Sequence, residues 1–118
     1  IYVSGGLKWR VQQVPVDDTF TISRDSDVAT IDASRVKFPL TIRSVDNGDR
    51  FIPFGMKGSK LVSDYLTDRK RSVFEKKSKF VIADSEGDIL WLVGERTDNR
   101  FRIDDNSKEA LILSFERQ

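Results

Sequence analysis

Short stretches in which hydrophobic and polar residues alternate dominate this chain. A period of two is typical of half-buried β-strands, because successive side chains point to opposite faces of a sheet. The strands predicted in this way are Lys8–Gln12, Thr19–Ile22, Val28–Asp32, Phe38–Arg43 and Ala110–Phe115. Pro39 lies near the start of the fourth strand, which favours an edge position because proline has no N–H to donate.

In the middle of the chain the period changes to that of a helix. Apolar residues recur at helical spacing on one predicted face, namely Leu61, Val62, Tyr65 and Leu66. We therefore predict a helix over Lys60–Asp68, with Ser59 as its N-cap.

A second, shorter helix is predicted over Ser72–Lys77. Ser72 and Glu75 have the spacing of a capping box, in which each side chain bonds the other residue's backbone N–H. Val73 and Phe74 are the side chains that we expect this helix to bury.

The remaining segments are further short strands, which we place at Arg50–Phe54, Lys79–Ala83, Ile89–Val93 and Phe101–Ile103. An Asn-Gly turn within Val45–Asp49 indicates a hairpin-like connection. The pattern predicts a mainly β protein, a β-sandwich-like domain with a short insert of two helices. Residues 1–36 form either a separate lead-in hairpin or part of the same domain, which we favour, and residues 37–118 form the body of that domain.

Composition excludes several classes of function. The chain has no Cys and no His, which removes disulfides and most zinc, redox and imidazole chemistry. The missing disulfide framework fits a cytoplasmic protein. No apolar run approaches the ~20 residues of a membrane span, so we expect no membrane partner. The first residue is Ile, which suggests a piece of a longer polypeptide.

Charge is distributed unevenly although the net charge is only +1. Between Lys57 and Lys79 there are eight cations and three anions, so this segment carries +5. Such asymmetry favours a polyanionic partner for one face, whereas the alternative is a solvated helical surface.

A glycine-containing loop precedes the first predicted helix. Gly55 and Gly58 allow unusual backbone angles and close approach, and Lys57 and Lys60 flank the expected helix start. Free N–H groups, a positive dipole end and two ammonium groups would suit a phosphate. The alternative is a helix start without a ligand. The Gly-x-x-Gly spacing also matches the loop of KH domains, but a KH loop joins two helices and this one follows an extended segment.

No catalytic constellation stands out in the sequence. Trp9 and Trp91 lie in alternating strands, so we expect both in the core rather than as base-stacking platforms. Asp49 is interpreted as a structural turn residue, and the role of Arg50 stays open. Val3–Gly6 is interpreted as a turn between strands rather than a nucleotide-binding loop.

A run of motifs over roughly residues 40–104 resembles the C-terminal domain of bacterial tRNA(Ile)-lysidine synthetase. Arg43 is followed by Gly48-Asp49-Arg50-Phe51 and Pro53-Phe54-Gly55-Met56, and then by the helix Lys60–Asp68. Ile89-Leu90-Trp91-Leu92-Val93-Gly94 and Phe101-Arg102-Ile103 complete the match. The chain departs from the family at Glu75-Lys76, where an arginine often follows the glutamate, which leaves a bidentate arginine role there in doubt.

The resemblance implies a tRNA-gripping domain that contacts the acceptor-stem side and carries no catalytic residue, metal or cofactor. The parent enzyme would be an ATP-dependent ligase that joins lysine to the wobble cytidine of an isoleucine tRNA with a CAU anticodon. ATP and magnesium would be cofactors of that enzyme. Its catalytic domain, in the same polypeptide, would be a further partner.

On this basis we predict a set of RNA-binding residues, namely Arg50, Lys57, Gly58, Ser59, Lys60, Arg69, Lys70 and Arg71. The alternative hypothesis is an architectural or protein-interaction β-sandwich without RNA contact, as in a substrate-side domain of the phenylalanyl-tRNA synthetase β chain. One exposed basic face would favour the first hypothesis, and dispersion of the cations among acids would favour the second.

Overall fold

A long strand from the C-terminal part of the chain forms the centre of the first sheet. The structure, a computed structural model, describes residues 2–4 and 7–116, with side chains from Lys8 onward. Strand β10 (Glu109–Glu116) pairs antiparallel with β2 (Leu7–Pro15) on one side and β3 (Val28–Asp32) on the other. Strand β1 (Tyr2–Ser4) adds to the outer edge of β2. Gly5 and Gly6, in the turn predicted at Val3–Gly6, lie outside the described residues.

The second sheet is also antiparallel, with strand order β4-β7-β8-β9. Its strands are β4 (Thr41–Ser44), β7 (Phe80–Ala83), β8 (Ile89–Leu92) and β9 (Arg96–Thr97). A small ladder joins β5 (Arg50–Phe51) to β6 (Lys60–Leu61). Two helices follow β6, α1 (Val62–Asp68) and α2 (Val73–Lys77).

Two apolar clusters cover the two faces of the second sheet. The cluster between the sheets includes Trp9 and Ile31 from the first and Trp91 from the second. The other cluster packs Val62 and Leu66 of α1 against β7 and β8. This arrangement confirms the prediction of a mainly β, sandwich-like fold with a two-helix insert. Trp9 (6% exposed) and Trp91 (1% exposed) lie in the core, as predicted.

Where the sequence signal was local and strong, the predicted elements agree with the structure. Strand β3 has the predicted bounds, β7 and β8 form the predicted hairpin, and β10 contains the predicted Ala110–Phe115. Helix α2 begins at the predicted capping box of Ser72 and Glu75. Among the described residues, no helix is long and apolar enough to cross a membrane.

Two predicted strands are absent from the described part of the chain. Thr19–Ile22 forms no strand: Asp18 and Thr19 form a turn, in which the Asp17 carboxylate accepts hydrogen bonds from the N–H and the hydroxyl of Thr19, and the next residues are irregular. Phe101–Ile103 is replaced by a single 3₁₀ turn at Asn99–Phe101, which Asp98 caps. In both places a short polar side chain offers the backbone an alternative to strand pairing.

Other predicted boundaries shift. The fourth predicted strand begins only at Thr41, after the Phe38–Pro39 bond. The Asn-Gly turn forms, but it does not close a hairpin, because β4 pairs with β7 and β5 pairs with β6. Strand β5 ends at Phe51, and Pro53 makes only an isolated bridge to Asp98.

The division of the chain at residue 36 stays a prediction. Strands β2 and β3, which precede that point, both pair with β10.

Candidate nucleic-acid interface

The glycine loop between β5 and β6 is held by contacts to a neighbouring segment. Gly55 has φ +87°, in the region that favours glycine, and its N–H donates to Asn99 Oδ1 at 3.2 Å. Arg96 Nη1 donates to the Phe54 carbonyl at 3.2 Å. Gly58 differs, because it has no positive φ and a Cβ added there would meet nothing within 4 Å. The loop therefore needs glycine at position 55, while position 58 presents open backbone.

The predicted start of the first helix at Lys60, with Ser59 as its N-cap, is wrong, because α1 begins at Val62. The N-cap of α1 is Leu61, with no side-chain cap, rather than Ser59. The N–H of Val62, the first helical residue, donates to the Asp49 carbonyl at 2.9 Å, and Val62 itself is fully buried. Ser59 instead accepts a hydrogen bond from Arg50 Nε at 2.9 Å. Lys60 and Leu61 are instead paired with β5, and the first helical N–H has its acceptor at Asp49. No pattern near Ser59 in the sequence indicates either contact.

The two lysines of the predicted phosphate site, Lys57 and Lys60, have different environments. Lys60 makes an ion pair with Asp68, so its side chain runs beside α1 toward the last helical residue and its charge is compensated. Lys57 is exposed and has no hydrogen-bond or ion-pair partner in the described part of the chain. The structure records no contact that joins the two lysines.

Arg71 forms an ion pair with a buried carboxylate. Its Nε and Nη2 donate to Oε1 and Oε2 of Glu95 at 2.6 and 3.1 Å, and the Glu95 side chain is 0% exposed. Burial raises the pKa of Glu95, but the hydrogen bond from Arg71 and the charges of Lys79 and Arg71 outweigh it and hold this pKa below its ordinary value. The hydrogen bond to Glu95 raises the pKa of Arg71 in turn. Arg71 therefore has a structural role in this fold.

Four cations at the α1–α2 corner make no ion pair with a described carboxylate. We call this set the α1–α2 surface, and it consists of Arg69, Lys70, Lys76 and Lys77. Arg69 lies over the Tyr65 ring, 6.0 Å from its centroid, and Lys70 has φ +59°. Lys76 Nζ donates to the Thr67 hydroxyl, which ties α2 to the last turn of α1. The contacts of Arg69 and Lys76 are to neutral groups, so the four side chains together give this surface a net positive charge.

Helix α2 exposes its apolar side chains, contrary to our prediction. Val73 and Phe74 are 68% and 81% exposed. Val73, Lys76 and Lys77 line an open groove of about 320 Å³ between α2, α1 and the Val45–Asp49 turn. The helix is anchored by polar contacts instead, through its capping box and Lys76, so its apolar residues are not needed to attach it to the core.

The structure thus divides the eight predicted RNA-binding residues. Arg50 and Ser59 bond each other, Lys60 and Arg71 pair with carboxylates, and Lys57, Gly58, Arg69 and Lys70 stay available. Lys76, Lys77 and Phe74 were not among the predicted residues. Their sequence signal was the basic run itself, with an aromatic residue inside it. Among the described residues there is also no cluster of three or more acidic side chains that could hold a metal ion.

Comparison with known proteins identifies close relatives. The chain is 45% identical over 104 residues to a tRNA(Ile)-lysidine synthase of Parabacteroides distasonis, a match that covers 88% of this chain and 24% of that protein. It is 48% identical over 96 residues to the tRNA(Ile)-lysidine synthase of Bacteroides thetaiotaomicron, covering 81% of this chain and 22% of that one. The chain therefore spans about a quarter of the length of these relatives. No family model matches the chain.

Two solved structures share the fold. A crystal structure of a TilS C-terminal domain, TilS being the lysidine synthase, superposes with a TM-score of 0.74 at 19% identity, over 93% of this chain and 85% of that one. An N-terminal fragment of the phenylalanyl-tRNA synthetase β-subunit from Pyrococcus horikoshii gives 0.68 at 18% identity, over 77% and 28% of the two chains. From the relatives and the shared fold together, the chain belongs to the family of C-terminal domains of tRNA(Ile)-lysidine synthases.

Proposed function

We propose that this chain grips tRNA for a tRNA(Ile)-lysidine synthase, on the acceptor-stem side, without carrying catalysis itself. The observation that supports the proposal is the α1–α2 surface, where four cations lack a described carboxylate partner in a chain of this family. Positive side chains without acidic partners are the chemistry that binds phosphates.

The longer protein would be the ligase that its relatives' name describes, and this part of the proposal rests on that name and on the motif resemblance. It would use ATP with magnesium to attach lysine to the wobble cytidine of an isoleucine tRNA with a CAU anticodon. Its catalytic domain would lie elsewhere in the same polypeptide, in the cytoplasm.

Recognition by this chain would depend on shape and charge. A-form RNA presents phosphates and 2′-hydroxyls across a shallow minor groove, and side chains cannot enter its deep major groove. Arg69, Lys70, Lys76 and Lys77 would each neutralise a phosphate, and Lys57 on the glycine loop would reach one more. Affinity of the chain alone would be weak, because the parent enzyme would gain by gripping the tRNA at a second site.

An architectural role without RNA contact is the second candidate, and two observations favour it. Lys60 and Arg71, which would otherwise add to the basic face, are compensated by Asp68 and Glu95. The fold is also shared with a fragment of a different tRNA-related enzyme, and a shared fold by itself does not imply a shared ligand.

A tRNA titration at two salt concentrations tests the proposal. If these five cations, Lys57 and the four of the α1–α2 surface, each neutralise one phosphate, log K falls against log salt with a slope of roughly −4. The triple substitution Arg69→Gln, Lys70→Gln and Lys77→Gln should weaken binding to many RNAs alike and reduce the slope by roughly 2 to 3.

The matched control is Lys8→Gln, Arg10→Gln and Lys37→Gln. It removes the same charge, but from cations that pair with Glu116 or Glu86. We expect the control to bind nearly as the unmodified chain does. Equal effects of the two triple variants, or binding that does not depend on salt, would favour the architectural role.

A further inference from the structure

Phe74 is the most exposed of the large hydrophobic side chains in the described part of the chain. Phe51, Trp91 and Phe101 are buried, and the exposed Phe38 and Phe54 are less exposed than Phe74, at 56% and 45% against 81%. Phe74 does not pack in the core. The capping box and the Lys76–Thr67 contact hold α2 in place without it. Its position on a fixed helix therefore presents one ring to solvent in a defined direction.

Helix α2 and the segment before it carry more cations than anions near Phe74 in the sequence. Lys77 is three residues from Phe74 on α2, which makes the two side chains neighbours on one helix face. Glu75, the acidic residue of α2, turns back to accept the N–H of Ser72, and Ser72 hydrogen bonds lower its pKa. Lys70 and Lys76 add further charge at the same corner and make no ion pair with a described carboxylate. Asp46 and Asp49 line the neighbouring groove but both pair with Arg43, so the net charge of this corner is complementary to an anion.

A ligand that fits both features has flat apolar faces and regularly spaced negative charges. Single-stranded nucleic acid has this chemistry, because its bases stack on aromatic side chains while cations follow its backbone. A paired stem cannot satisfy the ring, because its bases are already stacked inside the helix.

We propose that Phe74 is a stacking platform for an unpaired RNA base, with Lys77 and Lys70 on the flanking phosphates. This inference rests on the proposed RNA-binding function and deepens it: the α1–α2 surface would hold not only a paired stem but also a single-stranded segment next to it.

The experiment compares two RNAs that differ only in unpaired nucleotides, a blunt-ended stem-loop and the same stem-loop with a short single-stranded 3′ tail. The unmodified chain should bind the tailed RNA roughly tenfold more tightly. Phe74→Ala should abolish this preference and leave the affinity for the blunt stem-loop unchanged. Phe74→Trp should keep the preference, and emission from the added indole should be quenched by the tailed RNA alone.

Val73→Ala is the matched control, because it truncates the adjacent exposed apolar side chain, which lines the groove. It should keep the preference for the tail. Phe74→Ala and Val73→Ala should both keep the melting temperature of the unmodified chain, since neither side chain is buried.

The experiment distinguishes failure of the stacking inference from failure of the proposed RNA-binding function. Binding of both RNAs with equal affinity overturns the stacking inference and leaves the proposed function intact. A tail preference that survives Phe74→Ala also overturns it, and it leaves a protein surface as the partner of Phe74. An equal loss of affinity for both RNAs in Phe74→Ala also contradicts the inference. If the unmodified chain binds neither RNA, the proposed function fails together with the inference.

Discussion

Arg43 holds the carboxylate of Asp49 with both terminal guanidinium nitrogens, at 2.8 and 3.0 Å. The same carboxylate accepts the N–H of Asp46 at 2.7 Å, and the Asp49 carbonyl accepts the N–H of Val62. Asp49 therefore ties together the end of β4, its own turn and the start of α1. This agrees with the interpretation of Asp49 as a structural residue rather than a ligand contact.

We expect Asp49→Asn to destabilise the chain by about 1–3 kcal/mol near pH 7, because charge-assisted hydrogen bonds of this kind contribute that much. The measurement is denaturant unfolding. Asp46→Asn is the control, since the Asp46 side chain is mostly exposed and lies 3.5 Å from Arg43. A loss in the control as large as in Asp49→Asn would show that the turn, not the Arg43 contact, carries the effect.

The same carboxylate makes stability depend on acid. Burial raises the pKa of Asp49, but hydrogen bonds from Arg43 and the Asp46 N–H, with the charge of Arg43, bring it below its ordinary 3.8. A depressed folded pKa contributes stability above the unfolded value and loses it as the pH falls through the folded value. Unfolding free energy should therefore drop below about pH 4, and less steeply in Asp49→Asn. If the unfolding free energy of Asp49→Asn fell just as steeply below about pH 4, Asp49 would not be the source of this pH dependence.

Glu95→Gln should lower the free energy of unfolding by about 1.5–3 kcal/mol, because Arg71 and Lys79 both lose a buried anionic partner. Glu86→Gln is the matched control, since its partner Lys37 is exposed, and its stability should be unchanged within error. Thermal and denaturant unfolding measure the difference. Equal stability of the two variants would mean that the Arg71–Glu95 contact does not anchor the α1–α2 corner.

Trp91→Ala should cost about 3–5 kcal/mol, because a fully buried aromatic side chain is removed from the cluster between the sheets. Trp91→Phe, which keeps much of the volume, should cost less. If Trp91→Ala kept the melting temperature and weakened RNA binding, the placement of Trp91 in the core would be wrong.

The two glycines of the β5–β6 loop should respond differently to substitution. Gly55→Ala forces a Cβ into a positive φ and should cost about 1 kcal/mol or more, whereas Gly58→Ala should leave stability unchanged. Gly58→Val then tests ligand approach without a folding defect: it should weaken RNA binding if the backbone there lies against a phosphate. Unchanged RNA binding would remove Gly58 from the interface.

Sequence reasoning succeeded where a signal and its structural consequence lie close together in the chain. The Ser72–Glu75 capping box needs only four residues, and the apolar run in β10 indicates a strand in any context. The start of α1 could not be read in this way, because its first N–H is satisfied by Asp49, far outside the helix.

The same limit applies to the candidate interface. A count of charges between Lys57 and Lys79 shows that the region has a net positive charge, but it cannot reveal which cations pair with carboxylates. Glu95, which compensates the charge of Arg71, is separated from it in the sequence by α2, β7 and β8. The exposure of Phe74 could not be predicted from the sequence either. An aromatic residue beside a capping box is expected to pack inward unless polar contacts hold the helix.

The central position of β10 has a consequence for how the chain reaches this fold. Strands β2 and β3 share no ladder with each other, since β10 lies between them. The whole second sheet and both helices separate β10 from β3 along the chain. Apart from the local β1–β2 pair, the first sheet therefore cannot form until the distant β10 arrives, and the entropy cost of closing that long loop slows folding. We expect β2 and β3 to stay protease-sensitive until β10 is inserted.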